Sequence, residues 1–255
     1  MTVRHLAKKR FGQNFLQDQY IINEIIRLIN PQADEFILEI GPGLAALTKP
    51  LLEQVKQLHV VEIDRDIIHY LSHQFGANLI IHAGDALKFD YSFAGRTLRV
   101  IGNLPYNIST PLLFHLAEFS NIQDMHFMLQ KEVVERICAS PNSSDYGRLS
   151  IMLQYKFYCT KLLEVSKKCF EPQPKVESAI VRLKPRPKAE WEQVKAKRLN
   201  QIVTAAFSQR RKTISNSLKN LLTKETLDLL NIDAKKRAEN LSVAEYLSLA
   251  AIDQI

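Results

Sequence analysis

The chain has 255 residues, of which 46% are hydrophobic, and its formal net charge is +7. These values fit a globular protein with one large domain, one small domain and a polyanionic partner. They exclude a membrane-spanning protein, because no apolar run approaches the length that crosses a bilayer.

Two further features concern the compartment and metal binding. The first ten residues lack the apolar core of a signal peptide, so we expect a cytoplasmic protein with no membrane contact. Cys138, Cys159 and Cys169 do not have the spacing of metal ligands, so we expect reduced thiols and no metal site.

Apolar runs alternate with helical patterns through the first half of the chain. The runs are 36–40, 57–61, 78–82, 98–101 and 125–129, with helix-like stretches such as 44–54 and 66–75 between them. This alternation predicts an α/β fold with a parallel sheet covered on both faces, and such sheets bind ligands beyond the carboxyl ends of their strands. Gly41, Glu62, Asp85 and Asn103 all fall at those ends.

A glycine-rich turn follows the first of these strands. Glu39-Ile-Gly41-Pro-Gly43 fits, together with Ala46, the Rossmann-type pattern Gly-x-Gly-x-x-Ala, and Glu62 lies where an acid binds ribose hydroxyls. The pattern by itself fits both NAD and S-adenosylmethionine. Glu39 would repel a pyrophosphate and attract a cationic ligand, and Asp85 could accept a hydrogen bond from an adenine amino group. We therefore expect S-adenosylmethionine as the cofactor.

A corner that could hold a planar amine follows the run 98–101, at Asn103-Leu104-Pro105-Tyr106. Pro105 fixes its own φ and keeps Leu104 out of the helical region, so the turn is stiff. It presents an amide, a main-chain carbonyl and an aromatic ring, which are two acceptors for the N–H groups of the amine and a surface on which the amine can stack. An aromatic amine is a poor nucleophile because its lone pair is delocalised, and acceptors that hold its hydrogens out of plane return that pair to nitrogen.

The corner therefore predicts alkylation of an amino group, with Asn103, Leu104 and Tyr106 as catalytic residues. The alternative is an ordinary Asn-x-Pro turn with a tyrosine that packs against it. The tetrapeptide also does not distinguish adenine from cytosine or from a glutamine amide.

The last part of the chain has a different pattern. Runs 155–158 and 179–183 predict an antiparallel hairpin at the edge of the sheet, 184–188 is typical of a linker, and apolar residues then recur at helical spacing. This predicts a catalytic domain at 1–187 and a small all-helical domain at 188–255.

The helical domain carries a run of positive charge. Between Lys195 and Lys219 there are seven basic residues and no acidic one. A solvated helix usually mixes charges of both signs, so we expect a nucleic-acid-binding face that includes Arg210, Arg211 and Lys212.

Together the motifs resemble the ribosomal RNA adenine dimethyltransferase family, over nearly the whole chain. The segments that carry the resemblance are 9–16, 39–43, 61–64, 84–86, 102–106, 170–176 and 207–213. The resemblance implies a Rossmann-like class I S-adenosylmethionine-dependent methyltransferase sheet with a small all-helical C-terminal domain. It also implies dimethylation of the exocyclic amino groups of two adjacent adenosines near the 3′ end of small-subunit (16S) rRNA.

The resemblance also implies roles for single residues toward the methyl donor. Asn14 and Leu16 would close over the donor. Gly41 would line its methionine part, Glu62 its ribose hydroxyls and Asp85 its adenine.

Two more roles implied by the resemblance concern the target base. Asn103 would border both the donor and the incoming adenine. Phe170 would be a catalytic residue that forms the second wall of a base slot opposite Tyr106, because Pro172 and Pro174 hold its segment extended.

Other functions remain open at this point. A non-catalytic RNA-binding assembly factor could keep the same fold, and a large-subunit rRNA methyltransferase of the resistance type shares many of the motifs. A DNA-adenine or protein-glutamine methyltransferase could share Asn-x-Pro-Tyr. The family suggests small-subunit rRNA within a partly assembled small ribosomal subunit as the partner, and we expect the protein to act as a monomer.

Overall fold

The structure is a computed structural model that describes residues 13–252. Residues 9–12 of the first family motif lie outside the described residues. All of the predicted site residues lie within them.

The strands and helices alternate in the first half of the described chain, and helices dominate after residue 195. The strands are β1 (Phe15–Leu16), β2 (Ile37–Ile40), β3 (Leu58–Glu62), β4 (Leu79–Ala83), β5 (Leu98–Asn103), β6 (Ile122–Gln130), β7 (Phe157–Val165), β8 (Phe170–Glu171) and β9 (Ser178–Pro185). The helices are α1 (Gln19–Ile29), α2 (Thr48–Leu52), α3 (Arg65–Gln74), α4 (Ser109–Leu116), α5 (Lys131–Cys138), α6 (Arg148–Gln154), α7 (Ala196–Ser208), α8 (Ile214–Leu218), α9 (Lys224–Leu229) and α10 (Val243–Ala251). Short 3₁₀ turns cover Tyr91–Ala94, Lys167–Cys169, Lys188–Glu190 and Ala238–Asn240.

A seven-stranded sheet has the strand order β4-β3-β2-β5-β6-β9-β7. The pairs from β4 through β6 are parallel, and β6 pairs with β9 in antiparallel orientation. The predicted α/β fold and its five parallel strands are confirmed. The predicted strand pair at the edge is present as β7 and β9, which are neighbours, although β7 extends to Val165 rather than ending at Tyr158.

The close approach of β5 to β2 requires a glycine at position 102. A Cβ atom there would lie 2.5 Å from the main-chain oxygen of Ile40. No side chain fits at that distance, so the glycine allows the two central strands to pair and brings Asn103 to the end of β2.

The helix predicted at 44–54 is shorter than expected. Gly43 has a φ of 54° and Ala45 a φ of 69°, both in the left-handed region, so the chain turns before helix α2 begins at Thr48. Pro50 is tolerated because it falls in the first turn, where its missing N–H would have no helical partner. The turn leaves the main chain of 41–47 facing the carboxyl end of β2 rather than buried in a helix.

A second, two-stranded sheet was not predicted. Phe15 of β1 pairs with Glu171 of β8, and Leu16 pairs with Phe170, in antiparallel orientation. These strands are two residues long, so they carry no periodic pattern in the sequence. The pairing joins the segment that begins at residue 13 to the segment that contains Phe170.

The described chain divides into two compact units. The first runs to Val134 and resumes at Thr160–Lys184, and the second comprises Glu135–Cys159 and the residues from Pro185 onward. The last of the three boundaries falls between Lys184 and Pro185, and the domain bounds 1–187 and 188–255 stay predictions. The grouping of 135–159 with the helical unit was not predicted. Its cause is the packing of Tyr146, Ile151 and Tyr155 in one hydrophobic cluster with residues of α7 and α10.

The second unit has its own core. Its buried side chains include Leu199, Ile202 and Val203 of α7 and Tyr246 and Leu249 of α10. Within residues 13–252, no helix is both long enough and apolar enough to cross a bilayer.

Candidate active site

A cavity of about 870 Å³ lies where the carboxyl ends of β2, β3, β4 and β5 meet. The predicted cofactor and base-site residues line it, with the exception of Phe170: Asn14, Leu16, Gly41, Glu62, Asp85, Asn103, Leu104 and Tyr106. The structure therefore brings these residues together around one cavity, and their roles stay predictions.

The glycine turn forms one wall of this cavity. Gly41 has a φ of 65° and donates its N–H to the Val61 carbonyl at 3.0 Å, which extends the parallel pairing of β2 and β3 by one hydrogen bond. A Cβ at Gly43 would lie 3.1 Å from Cδ1 of Phe15. The segment around Phe15 therefore passes directly over the turn and covers the cavity on that side.

Glu62 holds its carboxylate in one orientation. Its Oε1 accepts the N–H groups of Ile63 and Asp64, each at 2.8 Å. The side chain is buried, and this burial raises its pKa above the usual value for a glutamate. A carboxylate fixed in this way can accept hydrogen bonds from a pair of hydroxyl groups on a ligand.

Glu39 is a second buried acid in the cavity wall. Thr48 Oγ1 donates to its Oε2 at 2.6 Å, a partner that the sequence analysis missed. Burial raises the pKa of Glu39 to about 7, and the nearby Glu62 charge adds to the rise, while the Thr48 hydrogen bond opposes it. A cationic ligand in the cavity would favour the ionised form of Glu39.

Asp85 follows β4 at the same edge of the sheet. Its Oδ1 accepts the N–H of Leu87 at 2.9 Å, which fixes the carboxyl group at the start of the following turn. Both residues line the cavity, so a ligand amino group there would meet an oriented acceptor.

The corner at 103–106 is held at several points, as its proline predicted. Leu104 is buried and donates its N–H to the Met128 carbonyl at 3.2 Å. Asn103 donates from Nδ2 to the Asn14 carbonyl at 3.1 Å. Because the amide nitrogen makes that bond, Oδ1 of Asn103 is the atom that would accept a hydrogen bond from an incoming amino group.

Tyr106 is held through its main chain and through its hydroxyl group. Its main-chain carbonyl accepts a hydrogen bond from Ser109 Oγ at 3.1 Å. Its Oη lies 2.8 Å from Ser178 Oγ, in a hydrogen bond that either oxygen can donate. Burial raises the pKa of Tyr106, so its hydroxyl stays protonated at neutral pH.

Comparison with known proteins identifies the family. The sequence model of the family "Ribosomal RNA adenine dimethylase" matches residues 4–254. The chain belongs to this family.

Relatives that align with this chain over nearly their whole length support the family assignment. The "Ribosomal RNA small subunit methyltransferase A" of Thiobacillus denitrificans is 56% identical over 97% of this chain and 98% of its own length. The protein of the same name from Nitrosomonas europaea is 56% identical, with 97% and 96% of the two chains covered.

Solved structures show the same fold. A dimethyladenosine transferase from Plasmodium falciparum has a TM-score of 0.80 and 26% identity, covering 92% of this chain and 95% of that chain. The 23S rRNA methyltransferase ErmE has a TM-score of 0.71 and 25% identity, covering 92% and 98%. The predicted class I methyltransferase fold is thereby confirmed.

This rRNA adenine dimethylase is an enzyme that uses S-adenosylmethionine. The residues present fit that cofactor, because the cavity combines a glycine turn, a fixed carboxylate at Glu62, an oriented acceptor at Asp85 and a buried acid at Glu39. Among the described residues, no group of three or more His, Cys, Asp or Glu side chains could hold a metal ion.

Phe170 is the one predicted base-site residue of this dimethylase that the structure places elsewhere. Only 4% of it is exposed, and it packs in the hydrophobic cluster with Leu16 and Val165. It is absent from the cavity lining among the described residues, although its backbone pairs with that of Leu16, which does line the cavity. Its role as a wall of the base slot stays a prediction.

The predicted RNA-binding residues lie in the turn between α7 and α8 rather than on a helix. Arg210, Arg211 and Lys212 are all exposed. Arg210 donates from Nε to Glu239 at 2.7 Å and from Nη2 to the Ser144 carbonyl at 2.8 Å. The Arg210 side chain therefore holds the turn against the rest of the second unit, and Arg211 and Lys212 are exposed beside it.

Proposed function

We propose that this enzyme dimethylates the exocyclic amino groups of two adjacent adenosines near the 3′ end of small-subunit rRNA, during the biogenesis of the small ribosomal subunit. The observation that carries the proposal is the cavity, in which the corner at 103–106 adjoins the glycine turn, Glu62 and Asp85. The names of the relatives from Thiobacillus denitrificans and Nitrosomonas europaea support the small subunit as the source of the substrate.

Six residues would contact the methyl donor, one of which, Asn103, would also border the target base. Gly41 would lie against its methionine part, Glu62 would accept from its ribose hydroxyls and Asp85 from its adenine amino group. Asn14 and Leu16, in the segment that covers the glycine turn, would close over it. S-adenosylmethionine supplies a methyl group that its sulfonium already activates, so no side chain has to act as a nucleophile.

The corner would hold the target amine. Oδ1 of Asn103 and the main-chain carbonyl of Leu104 would accept the two amino hydrogens and keep them out of the plane of the base, which returns the lone pair to nitrogen. Catalysis then consists of alignment for in-line transfer, which can supply effective molarities on the order of 10⁵ M or more. The Nδ2 bond to the Asn14 carbonyl supports this role, because it leaves Oδ1 as the accepting atom.

Aromatic rings would hold the base itself. A target adenosine has to leave its stack to reach the cavity, and Tyr106 offers a ring in the lining on which the base can stack. Phe170 would form the second wall, which requires its segment to move from the packing described above. The slot also needs room for an amine that already carries one methyl group.

The helical part of the chain would bind the RNA. Residues 188–255 form the proposed RNA-binding domain, and 1–187 the catalytic domain. Arg210, Arg211 and Lys212 would contact phosphates, and binding would weaken steeply as salt rises. We further propose a monomeric cytoplasmic enzyme whose substrate is a partly assembled small subunit.

A second candidate is methylation of large-subunit rRNA, which the structural similarity to ErmE favours. Its 25% identity is well below the 56% shared with the small-subunit relatives. The chain covers nearly the full length of both kinds of enzyme, so the higher identity favours small-subunit rRNA as the substrate.

Mapping methylated nucleotides in ribosomes from a strain that lacks this protein tests the proposal. We expect two adjacent adenosines near the 3′ end of the small-subunit rRNA to lose both methyl groups and to regain them when the gene is restored. Unchanged methylation at these adenosines, or a loss confined to large-subunit rRNA, would overturn it.

A further inference from the structure

Ser178 is placed at the active-site edge of the sheet by the direction of its strand. It is the first residue of β9, which runs antiparallel to β6. Ser178 pairs with Gln130, the last residue of β6, so the beginning of β9 lies where the parallel strands end. The neighbouring Glu177 carbonyl accepts the N–H of Lys131 at 2.9 Å and continues this pairing by one residue.

The hydroxyl of Ser178 has one described side-chain partner, and that partner lines the cavity. Ser178 is 0% exposed, and a buried hydroxyl group is normally hydrogen-bonded. Its Oγ lies 2.8 Å from Oη of Tyr106. The bond reaches across 72 positions of sequence, so it ties the corner at 103–106 to the strand that follows the Phe170 segment.

This bond gives Tyr106 a second point of attachment. Ser109 holds its main-chain carbonyl, and Ser178 holds its hydroxyl group. The hydroxyl oxygen lies on the long axis of the ring, so fixing it restricts χ1, the torsion that swings the ring, while χ2 only turns the ring about that axis. The bond therefore keeps the Tyr106 ring from swinging into or away from the cavity.

We propose that Ser178 is a positioning residue that fixes the Tyr106 ring and thereby sets how efficiently the second methyl group follows the first. The inference rests on the proposed function, in which the target adenine stacks on Tyr106. An amine that already carries a methyl group has to turn that group away from the donor, and it fits only if the Tyr106 ring does not swing toward it. The second transfer is therefore more sensitive than the first to a loose ring.

The test compares Ser178→Ala, Tyr106→Phe and the double variant, with small ribosomal subunits that lack the modification as substrate. Each single variant removes the same hydrogen bond and keeps an aromatic ring at position 106. We expect each to lower kcat/KM for the RNA about tenfold, since small misplacements of a reacting group slow the reaction strongly. We also expect monomethyladenosine to accumulate, an unchanged KM for the donor, and a double variant no worse than either single one.

Ser150→Ala is the matched control. Ser150 is also 0% exposed, and its Oγ donates to the Arg136 carbonyl at 2.5 Å, a partner outside the described cavity lining. Losing this buried hydroxyl should lower thermal stability to a similar degree without changing the ratio of monomethyl to dimethyl product.

The outcomes separate this inference from the proposed function. If the wild-type enzyme forms no dimethyladenosine in these subunits, the proposed function is wrong. If the wild type is active but Ser178→Ala keeps its kcat/KM and product ratio, or if the effects of the two substitutions add in the double variant, the positioning role is wrong. Should Ser178→Ala fail to fold, Tyr106→Phe decides, because it removes the same bond from the cavity side.

Discussion

The side-chain amide of Asn103 donates from Nδ2 to the main-chain carbonyl of Asn14 at 3.1 Å, across 89 positions of sequence. The bond gives the amide a defined orientation, with Oδ1 as the atom that accepts from an incoming amine. Asn14 immediately precedes Phe15, where the chain enters the β1–β8 pairing, and this pairing positions the Asn14 carbonyl. The segment that covers the glycine turn therefore also orients Oδ1 of Asn103, the proposed acceptor for the base.

Asn103→Ala tests this acceptor. Alanine removes Oδ1 and leaves the proline corner in place, so we expect kcat to fall at least about a hundredfold, the scale seen when one oriented hydrogen-bonding group is lost from an active site. Donor binding, measured by titration calorimetry, should persist because Gly41, Glu62 and Asp85 are unchanged. Asn78→Ala is the control, since Asn78 is exposed and precedes β4 at the opposite edge of the sheet. Full activity of Asn103→Ala would contradict the role of Asn103.

The pKa of Glu39 predicts a pH dependence of stability. Burial raises this pKa from 4.5 to about 7, so the folded protein binds more protons than the unfolded chain between these values. The free energy of unfolding should therefore fall as the pH rises through this window, by about 3 kcal/mol at most, and level off above it.

Glu39→Gln should remove this dependence, because the glutamine oxygen can still accept from Thr48 and carries no charge. Urea unfolding of both proteins from pH 5 to pH 8 measures the difference. We expect the variant to gain stability relative to the wild type as the pH rises. A difference that stays constant over this range would show that Glu39 does not titrate as described.

Gly102→Ala tests the close approach of the two central strands. The added Cβ would lie 2.5 Å from the Ile40 oxygen, a main-chain atom that cannot move aside alone. We expect the free energy of unfolding to fall by about 3 kcal/mol, as for other severe overpacking. Gly76→Ala is the control, because a Cβ there meets nothing within 4 Å, and its effect on urea unfolding should be small. Equal stability of the two variants would contradict the geometry at position 102.

Much of the fold could be predicted because its signals are local. Each parallel strand is a continuous apolar run that ends at a turn, and this pattern also places Gly41, Glu62, Asp85 and Asn103 at one edge. A strand that is buried on both faces of a sheet needs apolar residues throughout, so its position is visible in the sequence.

The rest depends on contacts between distant residues. β1 and β8 are too short to show a period, and the left-handed φ of Ala45 shortens the helix predicted at 44–54. Ser178 immediately precedes the predicted strand 179–183, and only the antiparallel pairing with β6 reveals that it lies at the site. The burial of Phe170 likewise depends on its packing against residues distant in sequence, such as Leu16.

The turn between α7 and α8 makes a separate prediction about RNA. Charge reversal at Arg210, Arg211 and Lys212 should weaken RNA binding strongly and leave donor binding unchanged, because these residues would bind phosphates through their charge. The slope of the logarithm of the RNA association constant against the logarithm of the salt concentration should become shallower. The change should be about one unit for each phosphate that the variant no longer neutralises.

The control for this prediction is Lys224→Glu, which reverses one exposed charge at the start of α9 in the same unit. Filter binding or anisotropy over a salt series measures both variants. Unchanged RNA affinity after reversal at 210–212 would show that this turn is not the RNA-binding face.

A crystal structure with S-adenosylmethionine bound tests the central claim most directly, since it shows the reactive methyl group beside the proposed acceptors. We expect the Asn103 side chain to border that methyl group and an adjacent space to admit a nucleobase, with its amino nitrogen about 3.5 Å from the methyl carbon. An Asn103 that points away from the methyl group, or a cavity wall that leaves no room for a base there, would contradict the account.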